Sequence, residues 1–536
     1  MGSSIFCLHL ILSSFFLFTF LLAACYIVYM GAHSHGPSPT SADLELATDS
    51  HYDLLGSIFG SREKAKEAII YSYNRHINGF AALLEEEEAA DIAKNPNVVS
   101  VFLSKEHKLH TTRSWEFLGL HRRGQNSAWQ KGRFGENTII GNIDTGVWPE
   151  SQSFSDKGYG TVPSKWRGGL CQINKLPGSM KNPCNRKLIG ARYYNKAFEA
   201  HNGQLDPLLH TARDFVGHGT HTLSTAGGNF VPGARVFAVG NGTAKGGSPR
   251  ARVAAYKVCW SLTDPASCYG ADVLAAIDQA IDDGVDVINV SFGVSYVVTA
   301  EGIFTDEISI GAFHAISKNI LLVASAGNDG PTPGTVANVA PWVFTIAAST
   351  LDRDFSSNLT INNQLIEDAF DKTLADAFAY GSGHVRPDLA IDPGLVYDLS
   401  LTDYLNFLCA SGYDQQLISA LNFNRTFICS GSHSVNDLNY PSITLPNLRL
   451  KPVTIARTVT NVGPPSTYTV STRSPNGYSI AVVPPSLTFT KIGERKTFKV
   501  IVQASSAATR RKYEFGDLRW TDGKHIVRSP ITVKRR

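Results

Sequence analysis

The sequence predicts an α/β protein: a parallel sheet with helices on both faces, preceded by a small α+β unit and followed by a β-sandwich. Two changes of periodicity and one of punctuation carry that reading. Residues 26–110 run strand, helix, strand, strand, helix, strand. Residues 115–398 alternate apolar strands with amphipathic helices, and residues 437–536 alternate short strands with Pro and Gly. A chain of 536 residues has room for roughly three to four domains of about 150 residues each. Its 43% hydrophobic and 18% charged residues supply cores and exclude a disordered or coiled-coil chain. The formal charge of +3, from 49 Lys and Arg against 46 Asp and Glu, is too balanced to predict nucleic acid or an electrostatically held membrane surface as a partner.

Residues 5–24 are almost wholly apolar and close on Ala23 and Ala24, so residues 1–24 read as a cleaved secretory signal peptide. An uncleaved anchor is the alternative, because the apolar run continues to Met30. Tyr26, Ile27, Val28 and Tyr29 suit the first strand of a soluble domain better, which favours cleavage near Ala24 or Cys25 and no membrane contact afterwards. Secretion gives the cysteines a disulfide reading. Cys7 and Cys25 lie in or beside the leader. The other six fall as neighbours, Cys171 with Cys184, Cys259 with Cys268 and Cys409 with Cys429, so three local bridges are the simplest of the fifteen connectivities. Sequons stand at Asn241, Asn289, Asn358 and Asn424; Asn289 lies in an apolar strand and is expected to be unused.

In the first unit, strands are expected at 27–30, 68–73, 80–84 and 98–103, with helices at 50–59 and 85–94. The run Glu85-Glu86-Glu87-Glu88 suits a helix N-terminus. The parallel sheet takes strands at 138–143, 253–258, 285–290, 320–325 and 343–348. Its helices present Val273, Leu274, Ile277 and Ile281, then Ile308, Ala312, Phe313 and Ile316. The sandwich takes strands at 454–460, 467–472, 479–483 and 497–502, and Lys534-Arg535-Arg536 reads as a solvated tail.

In an open parallel sheet, chemistry gathers outside the carboxyl ends of the strands. Three segments fall there. Asp144-Thr145-Gly146 ends an apolar strand, but an aspartic-protease reading fails because no second Asp-Thr-Gly or Asp-Ser-Gly exists to share a proton. Gly217-His218-Gly219-Thr220-His221-Thr222 opens a helix, its glycines allowing close backbone approach. His218 and His221 stand three apart with no Glu between them, which argues against zinc. In Ala324-Ser325-Ala326-Gly327-Asn328-Asp329-Gly330, a turn after a buried strand presents the Asn328 amide, a donor suited to developing negative charge.

In the order Asp, His, Asn, these segments resemble the subtilisin-like serine proteases, specifically the secreted plant type. The resemblance rests on residues 142–151 (Asn-Ile-Asp-Thr-Gly-Val-Trp-Pro-Glu-Ser), on the two segments around His218 and Asn328, and on Tyr380-Gly381-Ser382-Gly383-His384-Val385. It covers nearly the whole chain. It implies an inhibitory propeptide at 26–110, autoprocessing near His110-Thr111-Thr112-Arg113-Ser114, a subtilisin-like catalytic domain at 111–430 and a fibronectin-III-like domain at 437–536. His218 would then be the general base and acid, Asp144 the carboxylate fixing its tautomer, and Asn328 the oxyanion donor. Ser291, Phe292 and Gly293 resemble the family's substrate-binding edge, where an extended peptide adds as a strand. The implied partners are a polypeptide substrate or the chain's own propeptide, outside the cell in the apoplast or cell wall; the residues give no pattern for a cofactor or a metal, and calcium is left open.

One departure governs the functional expectation. The family's nucleophile lies in a Gly-Thr-Ser-Met-Ser segment at the start of a buried helix, and no Gly-Thr-Ser occurs in this sequence. Only 52 positions separate Asn328 from Tyr380, where family members carry a protease-associated domain and the serine helix; the break falls near Gln364 and Leu365. Ser382 belongs to a segment that follows the nucleophile and is not expected to replace it. The expectation is a member of a secreted endopeptidase family that does not hydrolyse peptide bonds as written, its strands facing a void or repacked beside the missing helix. An incomplete gene model or splice product explains this first; a non-catalytic protein binding peptides or propeptides is the alternative.

Overall fold

The computed structural model describes residues 24–536 apart from 36–38, 104–105, 110–114, 116–117, 121–126, 175–182, 237–238, 262–265, 294–299, 331, 350–359, 362–363, 366–376, 424 and 432–433. The expected leader lies outside the described residues except for Ala24, which opens the first strand, Ala24–Gly31. That strand lies between Asn78–Leu84 and Ser100–Leu103 in an antiparallel sheet completed by Ile69–Tyr73. Its side chains alternate: Val28 packs with Leu55, Phe80 and Ile92 inside the unit, while Cys25, Ile27 and Tyr29 enter the core of the body that follows. Cys25, read from sequence as lying in or beside the leader, is a buried strand residue.

The helix expected at 50–59 spans Ser41–Phe59. Thr40 and Asp43 form a capping box that sequence periodicity alone did not weigh. A second helix, Arg62–Ala68 capped by Ser61, replaces the expected start of a strand at Ala68. The Glu run does open a helix, Glu86–Ile92, with the Glu88 carboxylate accepting from the Glu85 N–H at 2.8 Å.

The central sheet has the order Phe344–Ile346, Leu321–Ser325, Val287–Val290, Ile139–Asp144, Arg252–Lys257, Leu188–Tyr193, with every neighbouring pair parallel. Along Arg252–Lys257, Val253 and Ala255 pack with Leu223 of the helix His218–Gly227. Ala254 and Tyr256 face the other way, into a core shared with Ile277 and Ile281 of the helix Gly270–Asp283 and Phe313 of Glu307–Ser317. Both faces of this half of the sheet are therefore covered, as a parallel sheet requires.

The other half is covered on one face only, among the described residues. Ile288, Val290, Leu322 and Ala324 are at most 2% exposed, whereas their alternates Val287, Asn289, Leu321 and Val323 are only partly buried and Phe344 is 53% exposed. The register places these alternates on the same face as Ile140 and Asn142, beside the helix that begins at His218. The two faces should respond differently to substitution. Ile288→Ala is expected to cost about 2–5 kcal/mol, while Phe344→Ser stays within about 0.5 kcal/mol, both read from urea unfolding midpoints.

The C-terminal sandwich pairs a four-stranded sheet (Leu395–Val396, Val453–Asn461, Arg495–Ala504, Tyr478–Val483) with a five-stranded one (Ile443–Leu448, Ile526–Arg535, Tyr513–Thr521, Ser466–Arg473, Ser486–Phe489) around Trp520, Phe498 and Tyr468. Lys534 and Arg535 are not a solvated tail. They close the last strand, with Arg535 Nη1 donating to the Ser506 and Ala508 carbonyls at 2.8 and 3.0 Å. All three neighbour disulfides are present, Cys171–Cys184, Cys259–Cys268 and Cys409–Cys429.

Candidate active site

Asp144 ends the strand Ile139–Asp144 and His218 begins the helix His218–Gly227. Neighbouring strands on both sides leave the Asp144 side chain with no exposed surface. Its Oδ1 lies 2.8 Å from His218 Nδ1 and accepts from the Thr145 N–H at 2.7 Å; its Oδ2 accepts from the Thr222 hydroxyl at 2.9 Å. With both oxygens engaged, the carboxylate plane is fixed and the imidazole is set against it, 12% exposed. Gly219 makes the approach possible, since a Cβ there would lie 2.4 Å from the Gly146 carbonyl oxygen.

Two residues that sequence reading missed hold this arrangement. Asp214 is 3% exposed and ties the strand end to the helix start. Its Oδ1 accepts from the Thr145 hydroxyl and the Val216 and Gly217 N–H groups, and its Oδ2 from the Thr220 N–H and hydroxyl, all at 2.6–3.0 Å. Asp214 lies three residues ahead of the N-cap Gly217, outside the usual capping position, so its role is readable only once the helix start is placed. Asn338 donates to the carbonyls of Phe292 and Ser325 at 3.1 and 2.8 Å, linking the edge strand to the sheet.

Phe292–Gly293 forms a short strand paired antiparallel with Glu106–Leu109, Phe292 opposite Leu109 and Gly293 opposite Lys108. On its other edge Glu106–Leu109 pairs with Ser267–Tyr269, held as a hairpin by the Cys259–Cys268 bridge. The end of the N-terminal unit is thus laid as a strand between two strands of the body. Ser291 stands just before the paired residues, its hydroxyl accepting from Asn289 Nδ2 at 2.9 Å. Asn289 Nδ2 also donates to Asn142 Oδ1 at 2.7 Å, so the amide of this sequon is engaged inside the fold. The residues expected at the autoprocessing junction, 110–114, lie outside the described residues.

Asn328 lies in the turn after Leu321–Ser325, exposed, at the same carboxyl edge of the sheet as Asp144, and its side chain has no hydrogen-bond partner among the described residues. Ser382 is exposed and sits against the C-terminal domain, where Arg528 Nη1 donates to its carbonyl at 3.0 Å. Gln364 and Leu365, where the sequence break is expected, pair with Thr360–Ile361 as a two-stranded ladder. Among the described residues no three His, Cys, Asp or Glu side chains are grouped to hold a metal ion. No helix among them is long and apolar enough to cross a membrane.

A parallel sheet thus carries a buried Asp–His pair at its carboxyl edge, and the N-terminal unit ends in a strand laid against the body beside that edge. The chain matches the subtilase family over residues 135–482, the peptidase inhibitor I9 family over 25–110 and a fibronectin type-III domain over 437–533. It belongs to the subtilase family. The subtilisin-like protease Glyma18g48580 of Glycine max is 68% identical over 789 aligned positions spanning 100% of both chains. Subtilisin-like proteases SBT5.3 and SBT5.4 of Arabidopsis thaliana are 38% and 36% identical, over 96% and 98% of this chain and 96% and 97% of theirs.

Proposed function

We propose that the chain is a shortened form of a secreted subtilisin-like serine endopeptidase, which retains the acid–base half of an Asp-His-Ser triad and does not hydrolyse peptide bonds. His218 is the proton-transferring base, Asp144 fixes its tautomer, Asn328 is the oxyanion donor, and Ser291, Phe292 and Gly293 form the edge along which a polypeptide or the propeptide adds main-chain hydrogen bonds. The observation that carries this reading is the Asp144–His218 pair beside a sheet that is half-covered among the described residues, in a sequence with no Gly-Thr-Ser segment. A helix bearing a nucleophile would lie on that face, next to the helix that begins at His218.

The Glycine max relative supports shortening over divergence. Its alignment runs over 789 positions against 536 residues here, and 68% of 789 equals 536 to within rounding. Identities at that level take in essentially every residue of this chain, leaving the other positions with no residue opposite them. A diverged pseudoenzyme would carry substitutions along its length; a splice product or incomplete gene model would not. Three disulfides fit passage through an oxidising compartment, and the leader at 1–24 directs the product outside the cell, to the apoplast or cell wall. A second reading, a non-catalytic protein that binds peptides or its own propeptide, is favoured by the strand Glu106–Leu109, whose pairing needs no nucleophile.

Sequencing the transcript across codons 364 and 365 is expected to recover a longer form encoding a Gly-Thr-Ser segment. A fluorophosphonate probe should label that longer form and leave the 536-residue product untouched; a labelled serine in the shorter product sinks the proposal.

A further inference from the structure

The balanced charge of the chain conceals two opposed parts. Residues 437–536 hold 17 Lys and Arg against 5 Asp and Glu, while residues 1–436 hold 32 against 41. The sandwich therefore carries +12 and the remainder −9, which together return the +3 of the whole. An excess of that size on one small domain makes a field able to steer a polyanion.

The cations are gathered where three segments meet at one end of the sandwich. The loop after Ile443–Leu448 brings Arg449 and Lys451, the turn before Tyr513–Thr521 brings Arg510 and Arg511, and the last strand ends in Arg535 and Arg536. Backbone contacts fix these segments together. Arg510 and Arg535 form a β-bridge, the Arg511 N–H donates to the Arg535 carbonyl at 2.8 Å, and the Arg536 N–H donates to the Leu448 carbonyl at 3.0 Å. Arg449, Lys451, Arg510, Arg535 and Arg536 line an open cavity of about 470 Å³ with Leu450. Arg449, Lys451, Arg510, Arg511 and Arg536 are exposed and make no ion pair with any described carboxylate. Holding unpaired like charges together is unfavourable by itself, and an anionic ligand offsets that repulsion.

We propose that this end of the sandwich binds a linear carboxylated polysaccharide, a polyuronate chain. Cations from three segments favour a ligand with repeated charges over one small anion, and guanidinium groups match carboxylates two bonds at a time. The site opens to solvent, which suits a polymer passing across it. None of its lining residues is aromatic, so the stacking platform used for single-stranded nucleic acid is missing, and Leu450 is too little apolar surface to anchor a membrane. The ligand's presence in vivo rests on the extracellular reading above; the binding chemistry does not.

The test applies the full chain to immobilised polygalacturonate. Retention that falls as salt rises is expected, because exposed charges are screened beyond about 10 Å at 0.1 M salt. The variant R449S/K451S/R510S/R511S should bind at least tenfold more weakly at an unchanged melting temperature. Removing three exposed cations elsewhere, in R133S/K157S/K491S, should leave binding as it was. A measurement on the unaltered chain gives an independent check: methyl-esterified polygalacturonate, which has lost its charge, should not retain it. Equal retention on the esterified polymer, unchanged binding of the four-site variant, or tighter binding to duplex DNA or anionic vesicles than to polygalacturonate would each overturn the proposal.

Discussion

Purified chain offered a fluorogenic peptide is expected to show no more than the residual acceleration that binding at the oxyanion site gives over buffer, and Asp144→Asn and His218→Ala should leave that residual rate where it is. The second half of this result is the sharper one. In subtilisin, losing the nucleophile or the histidine alone costs about 2 × 10⁶ in turnover, about as much as losing all three triad members, because the residues act as a unit. A factor of that size is about 9 kcal/mol of barrier, and the roughly 10³–10⁴ over water that oxyanion binding retains does not depend on the base. If some other hydroxyl had taken over the attack, His218 would still be its base, and His218→Ala would cut the rate by orders of magnitude. Indifference to His218→Ala therefore separates an absent nucleophile from a relocated one. Placing the relative's extra segment between Gln364 and Leu365 should restore hydrolysis and, with it, dependence on His218. A rate above buffer in the unaltered chain that collapses in His218→Ala would defeat the inactivity proposal.

The Asp144–His218 pairing was implied by the resemblance to the subtilisin-like proteases; the residues themselves advertised only their places, one at the end of an apolar run and the other between glycines at a helix start. The buried strands were legible for the same reason, as short runs of Val, Ile and Leu. The edge strand Leu188–Tyr193 was not, since Gly190, Arg192 and Tyr193 break the apolar run, and Arg192 answers to Asp283 at 2.8 Å rather than to solvent. Asp214 and Asn338 act by hydrogen bonds to distant backbone, which leave no periodic trace in the sequence. The basic end of the sandwich was hidden by averaging, because an acidic remainder cancels it in the whole-chain charge. Disulfide partners were readable because each pair lies within 20 residues in the chain.

Tyr29→Ala should loosen the N-terminal unit from the body by about 3–5 kcal/mol, a factor of 100 or more in the docking equilibrium. Tyr29 is fully buried, and its hydroxyl is hydrogen-bonded to His314 Nε2 at 2.8 Å across the contact, so truncation leaves a cavity and an unpaired imidazole together. Around it the Asp278 carboxylate accepts the His76 and Ile77 N–H groups at 3.0 and 3.1 Å, and Arg75 meets Asp282 at 2.7 Å. The His314 contribution to the same contact should weaken on acidification. Burial above all, with the Lys318 ammonium adding to it, holds the His314 imidazole down to about 3, against 6.5 when it is solvated. The undocked state then binds the extra proton between those values, so this contribution to docking is at full strength above pH 6.5 and is lost progressively below it. Asp272, beside Tyr71, has the opposite sign: burial raises it to about 6, so the docked state gains a proton there as pH falls. Burial raises Asp278 as well, so two carboxylates oppose His314, and the His314 contribution is read as the difference between the unaltered chain and His314→Gln. Hydrogen exchange of the strand Ala24–Gly31 in the full chain reads the outcome. Tyr29→Ala should lower protection at every pH, and the change between pH 7 and pH 5 should be more unfavourable in the unaltered chain than in His314→Gln; an identical change in the two would remove the role given to His314.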